Sequence, residues 1–420
     1  MNQSDMLHVK PFCALRPRRD LCAQVASVPY DVVDRNEAFS LAHGNPLSFL
    51  HVSRSEIDLP ENADPYSPAV YVKAAANFAA MQERGVLIRD LQPSFYIYRL
   101  QRNARYQHGI VACCYVGDYE KNIIKKHEKT RIDKEQDRTR HTTALRAHSG
   151  PVFLTYRDNA VIDDLAMESE KQDPLYDFTA PDGIGHTVWA VPGTDPLMKA
   201  FQNVPAAYIA DGHHRAAAGV SVARALAQSE NTLSIKFRSD PENEKESNWF
   251  LAVLFPASQL EILPYNRCVR DFGGRTTEDF LSAVKENFVT AEDASPAPAQ
   301  AGQISMYLGK KWFGLKPKKM PPHNDPVAVL DVSILQNQLF ENILGIKDPR
   351  TDKRLEFIGG IHGTAELERR VNAGRAAAAF SMSPVTVNQL MAISDAGQIM
   401  PPKSTWFEPK LRDALLIHTF

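Results

Sequence analysis

The sequence predicts an α+β protein, with mixed sheets and peripheral helices. Two observations carry this. Strand-like and helix-like segments follow one another irregularly, without the strict alternation that a wound parallel sheet requires. The 420 residues are also 44% hydrophobic and 23% charged, an ordinary balance for a chain that buries a large core. A division near residue 270 is expected, with 1–270 as one α+β domain and 271–420 as a second α+β region.

Short β-like pieces open the chain, Val9-Lys-Pro-Phe and Val25-Ala-Ser-Val-Pro-Tyr-Asp, punctuated by Pro11, Pro17 and Pro29. Tyr30 and Asp31 fall just after one of them, a loop position where function concentrates. Asn36 to His43 reads as a helix, and Ser48-Phe-Leu-His-Val as a buried strand. Tyr66 to Gly85 is the clearest amphipathic helix: Val70, Ala74, Phe78 and Met81 recur at helical spacing, and Gly85 stops it. Ser94–Leu100 and His108–Val116 form a hairpin around a polar turn.

From Lys121 to Arg146 there are nine Lys or Arg against four Asp or Glu, in a chain whose net charge is -2. Such a run suits a solvated helix face. His127 and Glu128, however, follow the apolar pair Ile123-Ile124 and are placed at a strand end, as candidate general base or metal ligand. Further strands are expected at Ser149–Tyr156, His186–Val191, Leu233–Phe237, Trp249–Phe255, Leu260–Arg267, Ile304–Leu308, Trp312–Leu315 and Ala376–Met382. Helices are expected at Val161–Lys171, Pro196–Phe201, Thr276–Asn287, Val327–Leu344, Thr364–Asn372 and Val385–Gly397.

The most informative stretch is Ala207-Tyr-Ile-Ala-Asp-Gly-His-His-Arg-Ala-Ala-Ala-Gly. An apolar strand runs into an alanine-rich helix through five polar residues. Asp211 is placed to cap that helix, and Gly212 permits a tight turn or a close approach. The first N–H groups of a helix lack internal partners and sit at its positive end, which suits a phosphate. Arg215 adds a bidentate fork, and His213 and His214 add groups that titrate near neutrality. Asp-Gly before a helix is also an ordinary cap, but packing alone does not call for five polar residues here.

The five cysteines form no CxxC pair, which fits a reducing cytoplasm better than a disulfide framework. No run of about 18 apolar residues suggests a membrane span. A near-neutral net charge argues against strong nucleic-acid binding. Walker spacing, GxSxG and HExxH are all absent.

In order along the chain, Lys10-Pro-Phe, Pro29-Tyr-Asp-Val-Val, His127-Glu-Lys-Thr, Asp211-Gly-His-His-Arg, Pro264-Tyr-Asn-Arg and Met400-Pro-Pro-Lys-Ser-Thr-Trp-Phe resemble the proteins grouped as domain of unknown function family 1015. Gly212-His-His-Arg-Ala-Ala-Ala is also similar to the phosphate-contacting turn of the ParB and sulfiredoxin superfamily, which includes free-serine kinases. This second resemblance implies a ParB/sulfiredoxin-like core, with phosphate contacts from Gly212, His213, His214 and Arg215. His213 stands where sulfiredoxins carry their cysteine, which argues against sulfinic acid repair.

The function expected is phosphoryl transfer from a nucleotide, ATP or ADP with Mg²⁺, to a small hydroxylated metabolite such as free serine. Asp211 would hold Mg²⁺, and Glu128, beside His127, would take the hydroxyl proton. Arg267, Tyr30, Asp31 and Lys403 are additional candidates for the same site. The alternatives are a non-catalytic nucleotide-binding switch or ParB-like module, and a metal-dependent hydrolase built on Asp211, His213, His214 and Glu128.

Overall fold

The computed structural model describes residues 6–191, 193–229, 245–322 and 324–420; the strand expected at 233–237 lies outside them. Two compact units emerge. The first contains residues 1–126, 130–260 and 409–420, and the second contains 127–129 and 261–408.

The first unit is built on a nine-stranded mixed sheet. Its strands are Val9–Lys10 (β1), Tyr96–Arg102 (β2), Arg105–Tyr115 (β3), Ile124–Lys125 (β4), Val152–Tyr156 (β5), Tyr176–Thr179 (β6), Gly185–Ala190 (β7), Ala207–Asp211 (β8) and Trp249–Pro256 (β9). The order across the sheet is β4-β8-β5-β9-β3-β2-β7-β6, with β1 added against β3. β4 runs parallel to β8, and β5 parallel to β9; the remaining pairs are antiparallel. Every residue of β9 is buried, which accounts for its unbroken apolar sequence. The hairpin of β2 and β3 turns at Asn103, which adopts a left-handed φ of 55°.

Three helices matter for the site: Pro68–Glu83 (α1), Ile132–Leu145 (α2) and His213–Ser229 (α3). α1 starts with Pro68 in its first turn and buries Val70, Ala74, Phe78 and Met81, the stripe that the periodicity predicts. α2 takes up much of the basic run. It is not simply a solvated helix, since it buries Asp137, His141 and Leu145 on one face at a spacing of four. The segment expected as a strand at 48–52 is instead a short helix, Leu50–Ser53; a brief apolar run does not separate a buried strand from a buried helix.

The second unit contains a six-stranded antiparallel sheet: Tyr265–Val269 (β10), Phe288–Glu292 (β11), Ile304–Leu308 (β12), Lys311–Pro317 (β13), Leu355–Gly359 (β14) and Ala378–Met382 (β15). The strand order is β11-β13-β12-β15-β10-β14. The long helix expected at 327–344 is reduced to Asp331–Leu335, continued by a π-helical turn over Gln336–Glu341. Both units mix helices with sheets, so the chain is α+β.

Candidate functional site

β8 hands over to α3 within two residues. A bulge between Ile209 and Asp211 breaks the register against β5 just before the turn. Gly212 then takes a φ of +88°, which an L side chain rarely adopts, and a Cβ there would lie 3.5 Å from the Val152 Cα. The Gly212 carbonyl accepts the first helical bond, from the Ala216 N–H at 3.0 Å. The N-cap is therefore Gly212 and not Asp211. The left-handed glycine inserts one residue between the acid and the helix, so the Asp211 carboxylate is used elsewhere. Its Oδ1 accepts the Gly212 N–H at 2.9 Å, and its Oδ2 accepts from Lys410 Nζ at 2.8 Å. The Asp211 side chain remains 40% exposed.

The other polar residues of the turn differ in their surroundings. His213 is buried. His214 Nε2 accepts the Arg131 N–H at 3.0 Å. Arg131 is the N-cap of α2, so this bond ties the start of α3 to the start of α2. A neutral His214 then carries its proton on Nδ1.

Arg215 has its side chain 13% exposed and pairs with Asp413, whose side chain is 3% exposed. Nη1 lies 3.0 Å from Asp413 Oδ1 and donates to the Pro151 carbonyl at 3.1 Å, and Nη2 donates to Asp413 Oδ2 at 3.4 Å. Gly150 makes the pair possible: a Cβ at that position would come within 2.5 Å of Nη1. Burial works against the Arg215 charge, but Asp413, Asp31, Tyr30 and Asp211 outweigh it and hold the guanidinium firmly protonated. Burial raises the Asp413 carboxyl, against the pull of Arg215, to about 6.

Tyr30 joins this cluster, as its position in the sequence suggests. Its ring is buried beneath two guanidinium groups, with Arg138 Cζ 3.9 Å and Arg215 Cζ 5.3 Å from the centroid. Burial raises its phenol, and the neighbouring Asp31 adds to the shift. Asp31 itself is exposed. Arg138 pairs with Asp137 at 2.7 Å, and Asp137 accepts the Tyr71 hydroxyl at 2.9 Å. His141, one turn further along α2, donates from Nε2 to the Val52 carbonyl at 2.9 Å, and burial, followed by Arg138, lowers it to about 3.

Sequence reasoning missed Asp413, Arg138, Asp137 and His141. Of these, the α2 residues carry a legible signal in hindsight: Asp137 and His141 are polar residues at the helical spacing of a buried face.

The remaining candidates belong to the second unit. Arg267 is buried and donates to four backbone carbonyls: Tyr265 at 2.7 Å, Asn266 at 3.4 Å, Pro402 at 3.1 Å and Lys403 at 2.9 Å. Its guanidinium also lies 4.4 Å from the Phe357 ring centroid. Burial lowers its pKa to about 9. Arg267 thus secures the loop of Met400-Pro-Pro-Lys-Ser-Thr, in which Lys403 holds a left-handed φ of 56°. His127 is held by the same loop: its carbonyl accepts the Met400 N–H at 2.8 Å, and its Nε2 lies 3.4 Å from Thr405 Oγ1. Glu128 is half-buried.

The chain matches the family described as "Protein of unknown function (DUF1015)" over residues 9–333. It belongs to that family. Among solved structures it is similar to a free serine kinase in complex with AMP, at 13% identity and a TM-score of 0.36, covering 73% of this chain and 92% of that one. It is also similar to a conserved hypothetical protein from Pyrococcus furiosus, at 13% identity and a TM-score of 0.33, covering 73% and 95%. A third is SbnI with a C-terminal truncation from Staphylococcus aureus, at 11% identity and a TM-score of 0.38, covering 73% and 87%. No curated protein matches the chain. Among the described residues, no helix is long and apolar enough to cross a membrane.

Proposed function

We propose that this chain binds a nucleotide through the Asp211–Arg215 turn and transfers its terminal phosphoryl group to the hydroxyl of a small metabolite, such as free serine. The observation that carries this reading is the turn itself: a bulged strand, a left-handed glycine and a 17-residue helix opening with His213, His214 and Arg215. Its leading N–H groups and the helix dipole favour a phosphate. Arg215 strengthens that field. Among the described residues, its Nε and one hydrogen of Nη2 carry no hydrogen bond and can reach a phosphate oxygen.

Asp211 is the proposed Mg²⁺ ligand: its carboxylate is partly exposed beside the turn, although its two oxygens accept from the Gly212 N–H and Lys410 Nζ in this structure. Bound there, Mg²⁺ would neutralise charge on the phosphates. Glu128 is the proposed base. It follows β4 by three residues, and β4 runs parallel to β8, so the chain leaves both strands at the same end of the sheet. In the transfer, the acceptor oxygen forms a bond to the terminal phosphorus and the bridging P–O bond breaks. The nucleoside diphosphate leaves with the electron pair, and the acceptor proton passes to Glu128. Tyr30 and Asp31 are assigned to the rim of this site.

One observation favours a second reading, a nucleotide-binding switch. His214 and most of the Arg215 donors already have protein partners, as a site built for holding would. Incubation with ATP and Mg²⁺ separates the two. Nucleoside diphosphate release that depends on an added hydroxylated acceptor, and that falls at least about 100-fold in Glu128→Gln, is expected of the kinase. Binding with no acceptor-dependent release would leave the switch.

A further inference from the structure

We infer that Tyr30 and Arg138, beside Arg215, form a pocket for the carboxylate of the acceptor, which makes the acceptor a small hydroxylated acid. The inference rests on the phosphoryl-transfer reading above and adds the class of acceptor and the residues that recognise it.

Tyr30 is only 6% exposed, yet among the described residues its hydroxyl makes no hydrogen bond. A buried phenol ordinarily finds a partner, so a hydroxyl left in this state points to a ligand atom. Arg138, from α2, also has donors to spare. Its Nε and Nη2 both donate to Asp137 Oδ2, at 2.9 and 2.7 Å, and among the described residues its Nη1 makes no hydrogen bond. The Arg138 side chain is 12% exposed and is fixed before any ligand arrives, because Asp137 accepts the Tyr71 hydroxyl on its other oxygen at 2.9 Å. Arg138 Cζ lies 3.9 Å and Arg215 Cζ 5.3 Å from the Tyr30 ring centroid, so a phenol and two guanidinium groups from separate elements converge. Arg215 opposes the charge on Arg138, a repulsion that the fold sustains. Asp31, the next residue after Tyr30, is exposed, which puts the cluster at the protein surface.

The groups left unspent are donors. What they recognise is therefore an acceptor of hydrogen bonds, and two guanidinium groups favour one that carries negative charge. Charge balance selects a carboxylate over a phosphate. Asp137 and Asp413 already answer the two arginines. Asp413, which Arg215, Asp31 and Arg138 face, is raised by burial to about 6 and can make room for one incoming monoanion by taking up a proton. A phosphate dianion brings one charge more than that exchange accommodates. Arg215 Nε is left for the phosphate side, so an acid held by Tyr30 and Arg138 lies next to the group it is to receive.

Calorimetry tests this with L-serine, D-glycerate and L-serinamide, each with and without magnesium–ADP, and with magnesium–ADP alone. The parent should bind the acids, and serinamide at least about 10-fold more weakly than serine. Tyr30→Phe and Arg138→Lys should each weaken acid binding by about 10- to 100-fold while magnesium–ADP affinity changes by less than about twofold. Tyr30→Phe removes a hydroxyl that has no hydrogen-bond partner among the described residues, so its melting temperature should match the parent's; Arg138→Lys keeps a cation on Asp137. A parent that binds neither acid, serinamide binding as tightly as serine, or Tyr30→Phe binding the acids as the parent does overturns this inference alone. Magnesium–ADP affinity that falls as far as acid affinity in both variants means that the pocket holds phosphate, and overturns it too. Acid binding that the variants lose, in a parent that binds no magnesium–ADP, supports the carboxylate pocket and overturns the nucleotide reading.

Discussion

The Arg215–Asp413 pair provides the sharpest energetic test, because its two halves should not cost the same to remove. In Asp413→Ala a guanidinium that burial cannot discharge is left, among the described residues, with the Pro151 carbonyl as its hydrogen-bond acceptor. Stranding one member of a buried pair costs about 3–5 kcal/mol. In Arg215→Met the stranded partner is a carboxyl already raised to about 6, and it escapes by taking up a proton. At pH 7 that proton uptake costs roughly 1.4 kcal/mol per unit of pH above the carboxyl's pKa, so the loss is about 1–2 kcal/mol. The double variant Asp413→Leu with Arg215→Met removes both charges and should lie close to the parent or above it. The assay is urea denaturation of the four proteins at pH 7 and again at pH 5.5. At the lower pH Asp413 is largely protonated in the parent as well, so the Arg215→Met penalty should shrink while that of Asp413→Ala persists. Equal costs for the two single variants, or an Asp413→Ala cost under about 1 kcal/mol, would refute the reasoning and mean that water reaches the pair.

Two further outcomes follow from the same geometry. Gly212→Ala forces a methyl group into a left-handed turn, and should destabilise the protein by about 1–2 kcal/mol in denaturant melts while weakening phosphate binding more than Gly219→Ala does. Acid should destabilise the first unit. His141, His148 and His186 are each lowered by burial to about 3, so the stability they contribute is complete above pH 6.5 and is lost as pH falls toward 3. Asp413, raised to about 6, works in the opposite sense between pH 6 and 4. Three protons against one leave a net loss of about 3 kcal/mol per pH unit in that window. Denaturation midpoints that stay flat from pH 6.5 to 4.5 would contradict this, and His148→Phe should reduce the slope by about half.

The parts of the site formed by neighbouring residues were legible in the sequence. Ala207 to Leu226 shows a strand, a polar turn and a helix in order, because periodicity and glycine chemistry are local signals. The capping role expected of Asp211 was displaced by one residue, since a left-handed Gly212 changes where the helix starts without changing composition. Asp413 could not be found in this way: its partner Arg215 lies 198 residues away, and no pattern at the position marks it. The basic run at 121–146 misleads for a different reason. Charge count reports a solvated face, whereas Asp137 and Arg138 neutralise one another inside the protein. Ser48–Val52 fails because a short apolar stretch satisfies both periods.

The return of Pro409–Phe420 to the first unit has a consequence for biosynthesis. That unit is largely specified by residue 260, yet residues 261–408 are translated before Lys410, Arg412 and Asp413 exist. At ribosomal rates of about 5–20 residues per second, the nascent first unit waits roughly 8–30 s for its remaining pieces. Throughout that interval Arg215 lacks the Asp413 carboxylate, and the face that Ala414 and Ile417 will cover stays open. Such an intermediate is a natural client for chaperones. A polypeptide arrested short of residue 413 should be cleaved by proteases faster than one that has added this segment.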